Sequence, residues 1–186
     1  QRQMCIRDSS KTERECVVSA VELAEKAGFR ELTAGMALKA GDKVYSVNRG
    51  KSILLAVIGK KPLSEGANIG AAHTDAPRLD FKPNPLYEDA ELAYIKTHHY
   101  GGIRKYQWVT IPLELHGVVV LRDGSKVDVH IGGKEDDPQF IINDLLPHLG
   151  REQGKKPLNE AIPSESLNAV SYTHLRAHET EADLVC

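Results

Sequence analysis

A short run of small apolar residues that stops on polar ones constrains the fold of this chain most. Residues 67–72 read Ala-Asn-Ile-Gly-Ala-Ala, and His73-Thr74-Asp75 and then Pro77 follow. Small residues let neighbouring segments pack closely on both sides, so the run predicts a strand buried on both faces, although periodicity alone leaves a buried helix segment open. Proline cannot donate to a central ladder, which ends the strand near Asp75. We therefore expect an α/β fold with His73 and Asp75 at a strand's carboxyl end, where such sheets bind ligands.

The spacing of His73 and Asp75 suits a metal site. Residues two apart in an extended chain point to the same face of a sheet. An imidazole can bind a metal through one nitrogen while its other N–H donates to a carboxylate, which fixes the tautomer and makes the ligand more basic. A His-x-Asp by itself is more often an ordinary polar pair at a strand end. The flanking residues therefore have to decide between the two interpretations.

Three stretches around and beyond this pair carry a family resemblance: residues 66–87, Thr97 to Ile103, and Trp108 to Leu113. They resemble the aspartyl aminopeptidase family of zinc metallopeptidases, and the resemblance runs from about residue 15 to about residue 170. It implies an exopeptidase with two zinc ions that hydrolyses the N-terminal residue from peptides. By the family's pattern His73 is a zinc ligand, and Asp75 is the catalytic-site carboxylate that supports it.

Composition excludes several other classes of function. The chain has 186 residues, enough for one ordinary domain or two small ones, with 41% hydrophobic and 27% charged residues. Its net charge of −2 gives no reason to expect nucleic acid or an anionic membrane as a partner. No apolar stretch approaches the roughly 20 residues that cross a bilayer. Three cysteines without a disulfide or zinc-finger pattern favour a reducing cytoplasm.

The two ends of the chain are unlike the rest. Gln1–Ser9 and the residues from Ser171 onward resemble translated sequencing-adapter sequence, although ordinary frayed termini are the alternative. We expect residues 1–9 and 171–186 to be artefact tails without specific contacts to the core. The chain is then an internal fragment of a longer protein.

The first half predicts the N-terminal part of a catalytic α/β domain, residues 10–84. Lys11 to Ala27 has helical periodicity, with Thr12 and Glu15 at capping-box spacing. Two strand-like segments, residues 43–49 and 52–59, are joined by an Asn-Arg-Gly-Lys turn and predict a hairpin. Together with the strand that ends at His73, these elements predict a mixed sheet covered by a helix.

The second half is expected to be β-rich. The prolines of Lys82-Pro83-Asn84-Pro85 indicate a stiff crossing segment, where we place a domain boundary. Beyond it the sequence predicts strands at residues 108–115, 118–122 and 126–131, with a hairpin turn at Asp123-Gly124, and a loop after Gly150. The resemblance implies that residues 85–170 are part of an inserted dimerisation domain, and hence a homo-oligomer.

The resemblance also assigns a role to His148. Asp144 to Leu149 resembles the part of the inserted domain that carries a histidine into the neighbouring subunit's active site. Pro147 fixes the backbone before His148, and the flanking leucines could anchor the segment while the imidazole points outward to bind substrate in trans. The alternative is a histidine packed at a loop or strand end. His116 and His130 are expected to be structural.

Most of the machinery of a two-zinc peptidase is absent from the sequence. Such a site needs a bridging carboxylate, further His and carboxylate ligands and a general-base Glu. No two adjacent glutamates occur in the chain to serve as base and ligand. We expect the fragment alone to be inactive, with most zinc ligands outside it. A different co-catalytic zinc hydrolase, such as a deacylase, and a non-catalytic β-rich interaction module remain as alternatives.

Overall fold

The structure, a computed structural model, describes residues 10–89 and 91–172. The chain divides into two compact units between Ala76 and Pro77. Residues 1–9 and 173–186, which the sequence assigns to the tails, lie outside the described residues. Within the described ranges, no helix has the length and apolar character needed to cross a membrane.

The first unit is a small mixed sheet with one helix packed against it. Helix α1 spans Glu13–Lys26 and contacts the second and third of three strands. The strand order is β1-β2-β3, with β1 parallel and β3 antiparallel to β2. The strands are β1 (Arg30–Glu31), β2 (Lys43–Asn48) and β3 (Ser52–Val57). The predicted helix and hairpin are therefore confirmed. The sheet is mixed, as predicted, but its third strand is β1 and not the segment before His73.

Local signals explain both the start of α1 and the turn between β2 and β3. The Glu15 backbone N–H donates to the Thr12 hydroxyl oxygen at 3.3 Å, and the Thr12 N–H donates to the Glu15 carboxylate at 2.9 Å. This is the reciprocal capping box that the sequence predicts. In the turn, Arg49 and Gly50 both have positive φ angles, 54° and 66°, as a type I′ hairpin turn requires.

The predicted strand before His73 does not form. Residues 66–77 have no regular secondary structure, and Ile69 is 88% exposed. A strand buried on both faces needs a neighbouring strand on each side and an apolar layer above and below it. The described residues place neither around this segment, so the expectation of a buried strand is wrong for this chain.

The second unit is rich in antiparallel strands, as the sequence predicts. Its main sheet has four strands in the order β4-β5-β9-β8, and β6 and β7 form a separate two-stranded sheet. The strands are β4 (Arg78–Asp89), β5 (Leu92–Tyr100), β6 (Leu115–Val120), β7 (Lys126–Ile131), β8 (Gln139–Ile141) and β9 (Ala169–Tyr172). A short helix, α2 (Leu158–Ala161), lies in the connection before β9.

Strand β4 runs through the prolines at which the sequence places a domain boundary. The register of β4 with β5 shifts between Phe81 and Leu86, so Pro83 and Pro85 fall in a bulge. Strand β4 is also an edge strand of its sheet. Bulges and edges are the places where a sheet tolerates residues without an N–H donor. The compact units divide between Ala76 and Pro77, and the domain boundary at Pro83 to Pro85 stays a prediction.

The predicted strand over residues 108–115 is wrong except for its last residue. Thr110 has a φ of 63° and Pro112 has no N–H, so the segment makes isolated contacts in place of a ladder. The Thr110 and Leu113 amides donate to the carbonyl oxygens of Ile142 and Phe140, and the Phe140 amide donates to the Leu113 carbonyl oxygen. The segment nevertheless contributes to the core of this unit, which consists of Val109, Ile142, Ile162 and Leu167 with partly buried Leu79, Ile103, Tyr106, Trp108 and Leu113.

Strand β9 corrects two expectations about the C-terminal region. A loop was expected after Gly150, but β9 pairs with β5 on one side and β8 on the other. Ser171 and Tyr172, expected to begin the tail, pair with Phe140 and Gln139 in that ladder. Long-range pairing of this kind leaves no local periodic signal in a mostly polar stretch.

Two truncations test the end of β9. A chain ending at Val170 loses the backbone pairing of Ser171 and Tyr172, whereas a chain ending at Tyr172 keeps it. We expect the shorter chain to unfold with a free energy about 1–3 kcal/mol lower and with a midpoint several degrees lower in a thermal scan. Equal midpoints for the two truncated chains would show that these residues do not stabilise the sheet.

Candidate functional site

The first unit brings His73 and Asp75 into direct contact. The His73 Nδ1 atom lies 2.8 Å from the Asp75 carbonyl oxygen and 3.1 Å from its carboxylate oxygen Oδ1. Both partners are acceptors, so the Nδ1–H donates a hydrogen bond to them, and in the neutral ring Nε2 then has the lone pair. The His73 side chain is 83% exposed. Its Nε2 can therefore reach a metal ion, and the Asp75 carboxylate holds the ring in the tautomer that a ligand needs.

His73 and Asp75 lack the further ligands of a closed zinc site. A protein zinc site usually has about four ligands, three of them protein side chains in catalytic sites. Among residues 10–89 and 91–172, no group of three or more His, Cys, Asp or Glu side chains with clustered ligand atoms includes His73. The residues present fit a single histidine ligand with its supporting carboxylate. They do not fit a complete metal centre.

His148 lies in the second unit, in an exposed turn. The Leu149 and Gly150 amides both donate to the Leu146 carbonyl oxygen, at 2.9 and 2.8 Å, and close the turn around His148. The three leucines expected to anchor the segment, Leu145, Leu146 and Leu149, are themselves exposed. They cannot anchor it because the described residues place no apolar surface over them, so that expectation is wrong for the isolated chain.

A third set of candidate ligands consists of Glu114, His116 and His130. The sequence predicts a structural role for the two histidines and does not single out Glu114. His116 and His130 are directly opposite each other in the β6–β7 hairpin, with ring centroids 4.1 Å apart. The Glu114 carboxylate oxygen Oε2 lies 2.8 Å from His116 Nε2 and 3.6 Å from His130 Nε2. One ligand atom from each residue falls within 4.8 Å of the others.

The sequence does carry a signal for this group. The Asp123-Gly124 turn predicts the β6–β7 hairpin, and residues equally distant from a hairpin's centre face each other across it. His116 and His130 are each seven residues from Asp123. Glu114 precedes His116 by two residues, which places it on the same face in extended chain.

Comparison with known proteins identifies relatives of the whole described chain. The family model described as "Aminopeptidase I zinc metalloprotease (M18)" matches residues 7–184. A probable M18 family aminopeptidase 1 from Clostridium acetobutylicum is 52% identical over 162 residues, which are 85% of this chain and 35% of that protein. This chain thus spans about a third of that relative's length.

Solved structures give the same result for the fold. An M18 family aminopeptidase from Thermotoga maritima superposes with a TM-score of 0.82 at 42% identity, covering 97% of this chain and 40% of that one. The mApe1 dodecamer of S. cerevisiae superposes with a TM-score of 0.65 at 18% identity, covering 89% of this chain and 36% of that one. The mixed α/β fold described above is therefore similar to that of M18 aminopeptidases.

Proposed function

Because this chain belongs to the M18 family of aminopeptidase I zinc metalloproteases, we propose that the full-length protein is a zinc-dependent aminopeptidase. It hydrolyses the N-terminal residue from peptides. The main observation for the proposal within this chain is the contact between His73 and Asp75. The Asp75 carboxylate holds the Nδ1 atom of the ring, which leaves the Nε2 atom for a metal ion. The family match over residues 7–184 supports this proposal over the two alternatives, a non-catalytic β-rich interaction module and a different co-catalytic zinc hydrolase such as a deacylase.

In this proposal His73 is one ligand of a two-zinc centre, and Asp75 acts through it. A bound zinc ion supplies a Lewis acid that polarises the peptide carbonyl and lowers the pKa of a bound water. Asp75 accepts a hydrogen bond from the Nδ1–H of His73, keeps the ring oriented and raises the basicity of Nε2. The bridging carboxylate, the other ligands and the general base belong to the part of the protein beyond this chain. The fragment alone is accordingly inactive.

The exposed apolar surface of the first unit fits the same proposal. Leu54, Val57 and Ile69 are each more than half exposed. Large aliphatic side chains on and next to a sheet are usually buried by packing elements. We infer that the remainder of the full-length protein covers this surface and supplies the strands that residues 67–72 pair with. The metal site is then completed at the end of that strand.

We further propose that residues 85–170, which make up most of the second unit, belong to an inserted dimerisation domain. Its separate sheets and core form a compact body of their own, and its exposed leucines near His148 suit coverage by a second copy. The mApe1 structure of similar fold is a dodecamer. In such a homo-oligomer His148 binds substrate in the neighbouring subunit's site.

Because the cysteine usage shows no disulfide pattern, we place the protein in the cytoplasm.

An aminopeptidase assay on the full-length protein tests the proposed function. Aminoacyl-p-nitroanilides that differ in their N-terminal residue report release of that residue and also reveal the side-chain preference. We expect turnover that a chelator abolishes and that added zinc restores. An N-acetylated substrate serves as the control, because an exopeptidase that requires a free amino terminus leaves it intact. Turnover that survives complete removal of metal would contradict the proposal.

A further inference from the structure

We propose that Glu114, His116 and His130 form an additional binding site for a divalent transition-metal ion of the zinc type, which cross-links strands β6 and β7. The three residues lie on one face of the hairpin, and neither His73 nor Asp75 takes part. The inference goes beyond the proposed aminopeptidase and does not depend on it.

The backbone explains why these three side chains meet. His116 and His130 are cross-strand partners in the register of β6 with β7. Glu114, two residues before His116, points to the same face. Gly133 follows β7, and a side chain there would begin 2.7 Å from His130 Nε2. The missing Cβ at Gly133 therefore leaves room for the His130 ring beside Glu114.

The spacing of the ligand atoms suits a small ion. Tetrahedral ligands at the usual zinc distances of about 2.0–2.1 Å lie about 3.3 Å from one another. The Glu114 Oε2 atom is 2.8 Å from His116 Nε2 and 3.6 Å from His130 Nε2, values on either side of that spacing. The ligand atoms of His116 and His130, the third pair, lie within 4.8 Å of each other. Side-chain rotations that draw the two rings together would bring both imidazoles and the carboxylate onto one ion.

The donor atoms indicate which class of ion fits. Two imidazole nitrogens and one carboxylate form a ligand set that proteins use for zinc, whereas magnesium and calcium prefer oxygen ligands throughout. The His116 side chain is only 9% exposed, while His130 is 58% exposed and Glu114 36% exposed. One ligand is thus held within the fold, and the open side leaves a fourth position for water.

An ion at this position would stabilise an otherwise weakly supported element. Strands β6 and β7 form a two-stranded sheet, with Val119, Val120 and Val127 exposed. A two-stranded hairpin is marginally stable without further packing. An ion bound to both strands and to Glu114 holds them in register, as structural metals do in small folds.

Cobalt titration of the full 186-residue chain tests the site. Co²⁺ takes zinc-like ligand sets and reports its coordination by visible absorption. In a His73→Ala background, so that His73 does not contribute, we expect saturable Co²⁺ binding with tetrahedral absorption bands that added Zn²⁺ displaces. His116→Ala, His130→Ala and Glu114→Gln should each weaken binding at least about tenfold. His98→Ala, which removes an exposed histidine on β5, is the matched control and should leave binding unchanged.

Amide hydrogen exchange, measured with and without Zn²⁺ on the same chain, tests the site even if a ligand substitution also affects folding. Zn²⁺ should slow amide exchange in β6 and β7 of the His73→Ala chain but leave exchange in β2 and β3 unchanged. The His130→Ala variant should show no zinc-dependent slowing. Absence of Co²⁺ binding, equal binding by all variants, or unchanged exchange in β6 and β7 would show that the three side chains form a hydrogen-bonded cluster only.

Discussion

Replacing His73 with alanine in the full-length protein is expected to abolish aminopeptidase activity and to reduce its zinc content. His73 is one of the metal ligands in the proposed site. Its Nδ1 atom contacts Asp75, and this contact orients the ring so that Nε2 is available to the metal. Loss of a partner that orients a ligand typically costs 10–100-fold in metal affinity or activity, and loss of the ligand itself costs more. Zinc per subunit and turnover are measured on the same purified sample.

Asp75→Asn separates orientation from ligation. Asparagine keeps the size of the side chain but removes the charge that strengthens the hydrogen bond to His73. We expect activity to fall at least about tenfold, with part of it regained at high zinc concentration, because the ligand itself remains. Asn68→Ala, in the same exposed segment, is the matched control and should retain full activity. Full activity and unchanged zinc content in His73→Ala would refute the assignment.

Replacing His148 with alanine is expected to lower turnover by about 10²–10³, the usual effect of losing a hydrogen-bond donor to the reacting carbonyl or oxyanion. The exposed turn around His148 and the exposed leucines beside it suit a segment that reaches a neighbouring subunit. Because the proposed donor acts on its neighbour's site, the zinc content of His148→Ala should equal that of the unchanged protein. That result distinguishes it from His73→Ala.

Complementation between the two inactive variants tests the action in trans. When His73→Ala and His148→Ala subunits are mixed, each mixed dimer contains one site with both residues intact, and part of the activity should return. Differently tagged subunits and native mass spectrometry establish that mixed oligomers have formed. Each variant mixed with itself is the control and should stay inactive. No recovery in oligomers shown to be mixed would rule out the role in trans.

Local sequence signals predicted much of the fold. The capping box of Thr12 and Glu15 gives the start of α1, and the Asn48–Lys51 and Asp123-Gly124 turns give the β2–β3 and β6–β7 hairpins. Each of these features depends on residues a few positions apart, so neighbouring residues are sufficient to specify it. The β-rich character of the second unit follows from the same short-range patterns.

Elements that depend on distant partners were not predictable in this way. Residues 67–72 have the composition of a buried strand, but burial requires neighbours that the described residues do not place beside them. Strand β9 forms because β5 and β8 lie on either side of it, although its own four residues are too short to give a periodic strand signal. The prolines of β4 are accommodated by a bulge at a sheet edge, a position that sequence spacing does not reveal.

The same distinction applies to the candidate sites. His73 and Asp75 are two residues apart, and their contact follows from that proximity. Glu114, His116 and His130 come together only when β6 and β7 pair in the observed register. Each of the two histidines looked structural by itself because the other lies fourteen residues away along the chain.

A crystal structure of the full-length protein, with diffraction recorded on both sides of the zinc absorption edge, would show whether His73 is a zinc ligand. The anomalous difference map locates zinc independently of any assumed ligand. We expect a zinc ion about 2.0–2.1 Å from His73 Nε2, with the Asp75 carboxylate accepting a hydrogen bond from the Nδ1–H. Fully occupied zinc sites of which none contacts His73 would contradict the assignment, whereas zinc at Glu114, His116 and His130 alone would not support it.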